Sequence, residues 1–256
     1  MIVTDLFRLD GKVAIVTGGS RGLGLMMAEG LAEAGSHVVL CARNLDACER
    51  AILTIAGTGV QTLAVRCDVS NPNDVRVLVE RTLSRFGRLD ILINNAGFAW
   101  EEPLEKVSLE KWNQTFAANA TGTFLCCQAA GRQMIQQESG KIINIVSIAA
   151  MASIDPDLAN SVPYSASKGA VVALTRDLAR KWSSHGIQVN AIAPGYFATR
   201  MSAHLLEHRS QQMMSSIPMK RLGEKDEIKG VAVFLASAAS HYITGQVLAV
   251  DGGALA

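Results

Sequence analysis

This sequence has no long run of lysine or arginine, no cysteine pair at metal-ligand spacing and no apolar stretch of membrane length. A net charge of +1 without basic runs argues against a nucleic-acid partner. The five cysteines, Cys41, Cys48, Cys67, Cys126 and Cys127, show neither C-x-x-C pairing nor zinc-finger spacing. Their odd number, with several inside apolar runs, reads as reduced core thiols of a cytosolic protein. Apolar runs stop well short of the roughly 18 residues that a membrane span needs. Residues 1–12 carry acidic side chains and lack the apolar centre of a signal peptide. A soluble, cytoplasmic chain is expected, with no metal, no nucleic acid and no membrane partner. No linker, repeat or low-complexity tract divides residues 1–256, so one domain is expected.

The residues present favour a large core, since 49% are apolar and only 18% are charged. Residues 12–17 form a β-branched run ending in glycines, as a buried strand does. Gly18-Gly19-Ser20-Arg21-Gly22-Leu23-Gly24 follows, then helical apolar spacing over 26–34 and a second strand at 37–42. Strand, glycine turn and helix in that order make a phosphate site. The alternation continues with helices at 46–56, 73–86, 108–137, 162–184, 200–214 and 224–236. Strands are expected at 61–66, 89–93, 141–146, 187–192 and 246–250. The pattern predicts an α/β, Rossmann-type doubly wound parallel sheet of about seven strands, with helices on both faces in three layers.

In such a sheet, ligands lie beyond the carboxyl ends of the strands. Those ends are rich in glycine, amide and hydroxyl groups: Thr17-Gly18, Ala42-Arg43, Asp68-Val69, Asn94-Asn95-Ala96-Gly97, Ser147 and Pro194-Gly195. Tyr164 and Lys168 stand four apart in Tyr164-Ser165-Ala166-Ser167-Lys168, on one face of a predicted helix. A phenol has an ordinary pKa of about 10, and a neighbouring cation lowers it. The pair is therefore a candidate proton donor and acceptor for carbonyl–alcohol chemistry.

Four motifs occur together: Thr17-Gly18-(x3)-Gly22-x-Gly24, Asn94-Asn95-Ala96-Gly97, Tyr164-x-x-x-Lys168 and Pro194-Gly195. On these the sequence resembles the short-chain dehydrogenase/reductase family of the compact single-domain type, over essentially the whole chain. The resemblance implies a catalytic group of Asn119, Ser147, Tyr164 and Lys168. Asn119, in Phe116-Ala117-Ala118-Asn119-Ala120-Thr121-Gly122, would hold a water in a proton relay. Ser147 would bind the substrate oxygen, and Tyr164 would pass the proton. Lys168 would lower the tyrosine pKa and bind the nicotinamide ribose.

For the cofactor, the resemblance implies contacts from Thr17, Gly18, Ser20, Arg21, Gly22, Leu23 and Gly24. Further contacts are implied from Arg43, Asn44, Asp68, Val69, Asn95, Ala96, Gly97, Tyr164, Lys168, Pro194, Gly195, Phe197 and Thr199. Asp68 and Val69 would flank the adenine, and Asn94 and Gly97 the adjoining ribose. A site for NAD places an acid at the end of the second strand, and here that end is Cys41-Ala42-Arg43-Asn44. Arg43 and Arg21 around a 2′-phosphate predict NADP(H) over NAD(H).

Tyr164 lies 17 positions after Ser147, a few more than is usual in the family. The extra residues fall in the turn-rich 154–160 and are expected to reshape the pocket rim. Ser147 remains the candidate because it ends a strand, as Ser153 and Ser161 do not. Residues 196–220 are expected to form a substrate lid. Met201, Met213, Met214 and Met219 there either line an adaptable apolar mouth or simply pack. Trp112 and Trp182 are expected on helix faces, and Trp100 is a candidate substrate contact.

Within the family the sequence is most similar to the 3-oxoacyl-(acyl carrier protein) reductases. Cys41-Ala42-Arg43, Asn95-Ala96-Gly97-Phe98-Ala99-Trp100 and Ser216-Ile217-Pro218-Met219 resemble the rhamnolipid-associated branch. A ketone or acyl-thioester carbonyl is the implied substrate. The alternative is a sugar acid or polyol, as in gluconate 5-dehydrogenase-like members, and a further one is a non-catalytic dinucleotide sensor. The family is usually tetrameric through the 108–137 and 162–184 helices, and the weakly charged face of Ala166, Ala170, Ala173 and Leu174 agrees with close packing. Two rival motifs are present. Gly18-x-Ser20-x-Gly22 fits a nucleophile elbow, which would make Ser20 a hydrolase nucleophile, and His204-x-x-Glu207-His208 fits a metalloprotease pattern without a third ligand.

Overall fold

The computed structural model describes residues 2–156, 158–199 and 202–256, and of residues 203–206 only the backbone. Among them run seven strands: β1 (Val13–Thr17), β2 (His37–Ala42), β3 (Thr62–Arg66), β4 (Ile91–Asn94), β5 (Gly140–Ile145), β6 (Ile187–Pro194) and β7 (Val247–Val250). They form one sheet in the order β3-β2-β1-β4-β5-β6-β7, and every ladder is parallel. The chain winds outward from β1 to β3, then restarts beside β1 with β4. That reversal opens a crevice beyond the carboxyl ends of β1 and β4.

Both faces of β1, β2, β4, β5 and β6 are covered, which is why these strands read as largely apolar runs. Ala14 and Val16 pack on one side against α1 (Gly22–Glu33), α2 (Leu45–Ile55) and α8 (Lys225–Ala236), through Leu31, Ile55 and Ile228. Val13 and Ile15 pack on the other against α3 (Pro72–Phe86), α5 (Gly122–Gln137) and α6 (Val162–Trp182), through Leu78, Met134 and Ala179. All five cysteines are buried free thiols. No described helix is long and apolar enough to cross a membrane.

Helix ends follow local chemistry. Asn71 accepts from the Asn73 and Asp74 N–H groups at the start of α3, Pro72 opens the first turn, and Gly87 closes it at φ 74°. Ser108 caps α4 (Leu109–Phe116) by accepting from the Lys111 N–H. The single helix expected over 108–137 is α4 and α5 joined by a π-helical turn, Ala117–Thr121. The helix expected over 200–214 is α7 (Ala203–Ser216), which departs from helical geometry at Arg209; residues 200 and 201 lie outside the described residues.

The catalytic-motif helix α6 is tied to the sheet by a buried polar chain. Asn94 Nδ2 donates to Asn144 Oδ1 at 2.9 Å, and Asn144 Nδ2 donates to Thr175 Oγ1 at 2.9 Å. Thr175 Oγ1 donates in turn to the Val171 carbonyl at 2.8 Å. Asn94, expected beside a ribose, thus faces the core: it is 2% exposed, with its amide on Asn144 and the Cys127 sulfur.

Candidate active site

The ends of β1 and β4 meet at the crevice, and glycines allow the contact. Gly18 takes φ 62°, and a Cβ there would lie 2.9 Å from Ala96 Cα. A side chain at Gly24 would collide with the Gly18 carbonyl and the Asn95 amide. Thr17 Oγ1 accepts from the Asn95 and Ala96 N–H groups, each at 3.0 Å. Asn95 Nδ2 donates to the carbonyls of Thr17 and Gly18 at 3.0 and 3.1 Å. The side chains of Thr17 and Asn95 are therefore braces between the turns, leaving backbone to meet a ligand. Arg21 precedes α1 in extended conformation without a side-chain cap, so the first N–H groups of that helix keep the anion-binding character of a helix start.

Gly22 faces Thr199, whose Cβ would be 3.8 Å from an added side chain. Ser202 Oγ holds that loop, donating to the Phe197 carbonyl at 2.5 Å and accepting from the Thr199 N–H at 3.0 Å. Gly195 abuts the Asp251 backbone, where a Cβ would sit 2.7 Å from its Cα, and its N–H donates to the Val250 carbonyl at 2.9 Å. Beyond β2, Arg43 and Arg21 are both exposed. Asn44 is less free than expected, because its Oδ1 caps α2 by accepting from the Ala47 N–H at 2.9 Å. Asp68 accepts from the Ser70 hydroxyl and N–H, which hold its carboxyl below its ordinary pKa, with Arg43 and Arg66 adding smaller effects. Val69 presses on Gly122, fixing this turn against the start of α5.

Tyr164, Ser147 and Lys168 line one cleft of about 180 Å³ together with Leu23, Asn95 and Gly195. Lys168 is 4% exposed, and its Nζ donates to the Ile145 carbonyl at 2.7 Å. Nζ stands 5.7 Å from the centre of the Tyr164 ring. Burial pushes the Tyr164 phenol above its ordinary value, and the hydroxyl of Ser147 is what pulls it back. Burial also weakens the hold of Lys168 on its own proton, lowering its pKa to about 8.

Asn119 sits in the π turn, fully buried. Its Oδ1 accepts from the Phe98 N–H at 2.8 Å, and its Nδ2 donates to the Phe98 carbonyl and to Ser167 Oγ, both at 2.9 Å. Ser167 Oγ donates to the Tyr164 carbonyl at 2.7 Å. Both amide hydrogens are thus used inside the protein, so the side chain braces the cleft wall and α6. A Cβ on Gly97 would come within 3.2 Å of Asn119 Oδ1 and 3.5 Å of Lys168 Nζ, so these three residues adjoin.

The cleft also holds residues that motif reading passed over: Ala99, Glu101, Ile148 and Tyr196. Tyr196 had a signal, since it directly follows Pro194-Gly195 at the end of β6. Ile154 and Ala159 line it too, so the long Ser147–Tyr164 segment does form part of the rim. Trp100 does not line the cleft; its Nε1 donates to Glu102 at 3.0 Å and Lys111 caps its ring at 4.3 Å. Met213 is buried and Met219 exposed, and neither lines the cleft; Met201 lies outside the described residues.

The nucleophile-elbow motif lies between β1 and α1 but lacks the strained serine it needs. A nucleophile elbow strains its serine, whereas the described non-glycine residues at positive φ are Glu138 and Lys220, not Ser20. Of the metalloprotease-like motif, the His204 side chain lies outside the described residues.

A family model for enoyl-(acyl carrier protein) reductase matches residues 18–254. The chain is 41% identical over 251 residues to gluconate 5-dehydrogenase of Gluconobacter oxydans strain 621H, covering 97% of this chain and 96% of that one. It is 40% identical over 247 residues to 3-oxoacyl-[acyl-carrier-protein] reductase of Synechocystis sp. strain PCC 6803, covering 96% and 97%. A crystal structure of a gluconate 5-dehydrogenase from Burkholderia cenocepacia J2315, in complex with NADP and tartrate, superposes with a TM-score of 0.94 at 38% identity, covering 99% of both chains.

Proposed function

The chain belongs to the short-chain dehydrogenase/reductase family of oxidoreductases, and we propose that it reduces a ketone, a 3-oxoacyl group or a related carbonyl, to a secondary alcohol with NADPH. The observation that carries this reading is one cleft that joins Tyr164, Ser147 and Lys168 to the glycine turn and to Gly195. A dinucleotide fits the residues present: Gly18 and Gly24 let the turn close on Asn95 and Ala96, where a Cβ would collide, and the start of α1 offers uncapped N–H groups. When bound, the nicotinamide supplies the hydride.

Tyr164 holds its proton on the phenol oxygen and gives it to the substrate oxygen. Ser147 donates to the same oxygen and stabilises charge developing there. Lys168 keeps a cation at the cleft floor, with its ammonium fixed by Ile145. Leu23, Gly97, Pro194, Gly195, Phe197 and Thr199 would hold the dinucleotide, with Asp68 and Val69 toward its adenine. Arg21 and Arg43 would bind a 2′-phosphate, which would favour NADP(H) over NAD(H). NADP in the Burkholderia complex supports this choice. The chain acts as one catalytic domain whose residues 196–220 serve as substrate lid, and it assembles as a homotetramer.

A sugar-acid or polyol substrate is the second reading, favoured by the 41% identity to gluconate 5-dehydrogenase. NADPH oxidation against β-keto esters, acyl thioesters and keto-sugar acids tests the assignment, with NADH as comparator. Turnover of the esters or thioesters is expected, with NADPH favoured through kcat/KM. Comparable rates with NADH would contradict the role given to Arg21 and Arg43, and turnover of keto-sugar acids alone would favour the second reading.

A further inference from the structure

The substrate end of the cleft carries its two charges at different depths. Ala99, Ile148, Ile154 and Ala159 make much of its wall apolar. Among the described residues that line it, the ones with charged side chains are Lys168 and Glu101. Lys168 lies deep, with its ammonium committed to the Ile145 carbonyl. Glu101 is exposed at the rim, and its carboxylate is engaged by no described residue, unlike Glu102, which accepts from the Trp100 indole.

The loop bearing Glu101 is pinned in place. The Glu102 N–H donates to the Asn160 carbonyl at 2.8 Å, joining it to the long segment that supplies Ile154 and Ala159. That segment carries a second carboxylate, Asp155. Its charge adds to burial in raising the pKa of the Tyr196 phenol, so negative potential reaches the cleft lining.

We propose that Glu101 sets the charge preference of the cleft, which takes ketones that are uncharged or cationic beyond the carbonyl and rejects those carrying a carboxylate there. The inference rests on the ketone-reductase reading above and separates its two substrate classes. An anionic ketone would bring a second negative charge beside the Glu101 carboxylate at the rim, a repulsion strongest at low salt. A neutral acyl chain meets no such opposition, and an ammonium group gains a partner.

Three ketones of similar length test it: 4-oxopentanoate, its methyl ester and 4-(dimethylamino)butan-2-one, each assayed by NADPH oxidation at low salt. The wild type is expected to favour the ester and the amine over the acid by kcat/KM. In Glu101→Gln the acid-to-ester ratio should rise about tenfold, equivalent to about 1.4 kcal/mol, and the amine-to-ester ratio should fall. Glu101→Lys should place the acid ahead of the amine, and added salt should compress all these ratios. Ratios unchanged in both variants, or an acid used as well as the ester by the wild type, would overturn the role of Glu101. Failure of the wild type to turn over the ester would instead overturn the ketone-reductase reading, and this inference with it.

Discussion

Lys168 and Tyr164 respond in opposite senses to the same burial. The lysine loses its proton more readily, at about pH 8, while the phenol holds its proton more firmly. Near neutrality this leaves an ammonium beside a protonated phenol, the state that reduction requires. Below about pH 8 the ammonium is present, and above it the charge is lost. The kcat/KM for ketone reduction is therefore expected to be level on the acid side and to fall above about pH 8. Lys168→Arg, which cannot lose its charge in this range, should lower the rate and abolish that fall. A fall at the same pH in the arginine variant would assign it to another group. The pairing of Tyr164 with Lys168 was readable because helical spacing alone puts them on one face. The division of labour between Asn94 and Asn95 was not readable. Successive residues at a strand end face opposite sides, so one amide enters the core toward Asn144 while its neighbour braces Thr17.

At the scale of elements, the π turn Ala117–Thr121 interrupts one long helix and brings Asn119 beneath the cleft wall. Such turns tend to occur at functional sites. Asn119→Leu would leave the N–H and carbonyl of Phe98 without their partner. Each unmade bond costs on the order of 1–3 kcal/mol when buried. A lower urea midpoint is expected, with a higher KM as the Phe98–Ala99 wall shifts, and an unchanged midpoint would contradict the bracing role. Alternation of apolar runs and glycine turns was enough to read every strand of the sheet, because both faces are buried and the strands are short. Helix starts were legible where a cap marks them, as at Ser108. The π turn and the break at Arg209 were not, since apolar periodicity changes little when one residue is inserted into a turn. Ile154 and Ala159 reached the cleft through a segment with no periodicity to read; only its extra length signalled a change at the rim.

For the whole molecule, the winding reversal between β1 and β4 places the crevice, and the outer helices leave a surface uncovered. Leu109, Phe124 and Val162 on α4, α5 and α6 are 73%, 45% and 42% exposed. Apolar side chains on neighbouring helices suit the tetramer proposed here. Sedimentation of the wild type as a tetramer is expected, and Phe124→Glu should yield a smaller species; a wild-type monomer would contradict the assembly. The chemistry is tested most directly by one comparison: NADPH oxidation with a β-keto ester by the wild type, Tyr164→Phe and Ser20→Ala. The wild type should turn the ester over, Tyr164→Phe should lose a factor of about 10² to 10⁴ in kcat, and Ser20→Ala should keep the activity in kind. Full activity in Tyr164→Phe, or its loss in Ser20→Ala alone, would contradict Tyr164 as the proton donor.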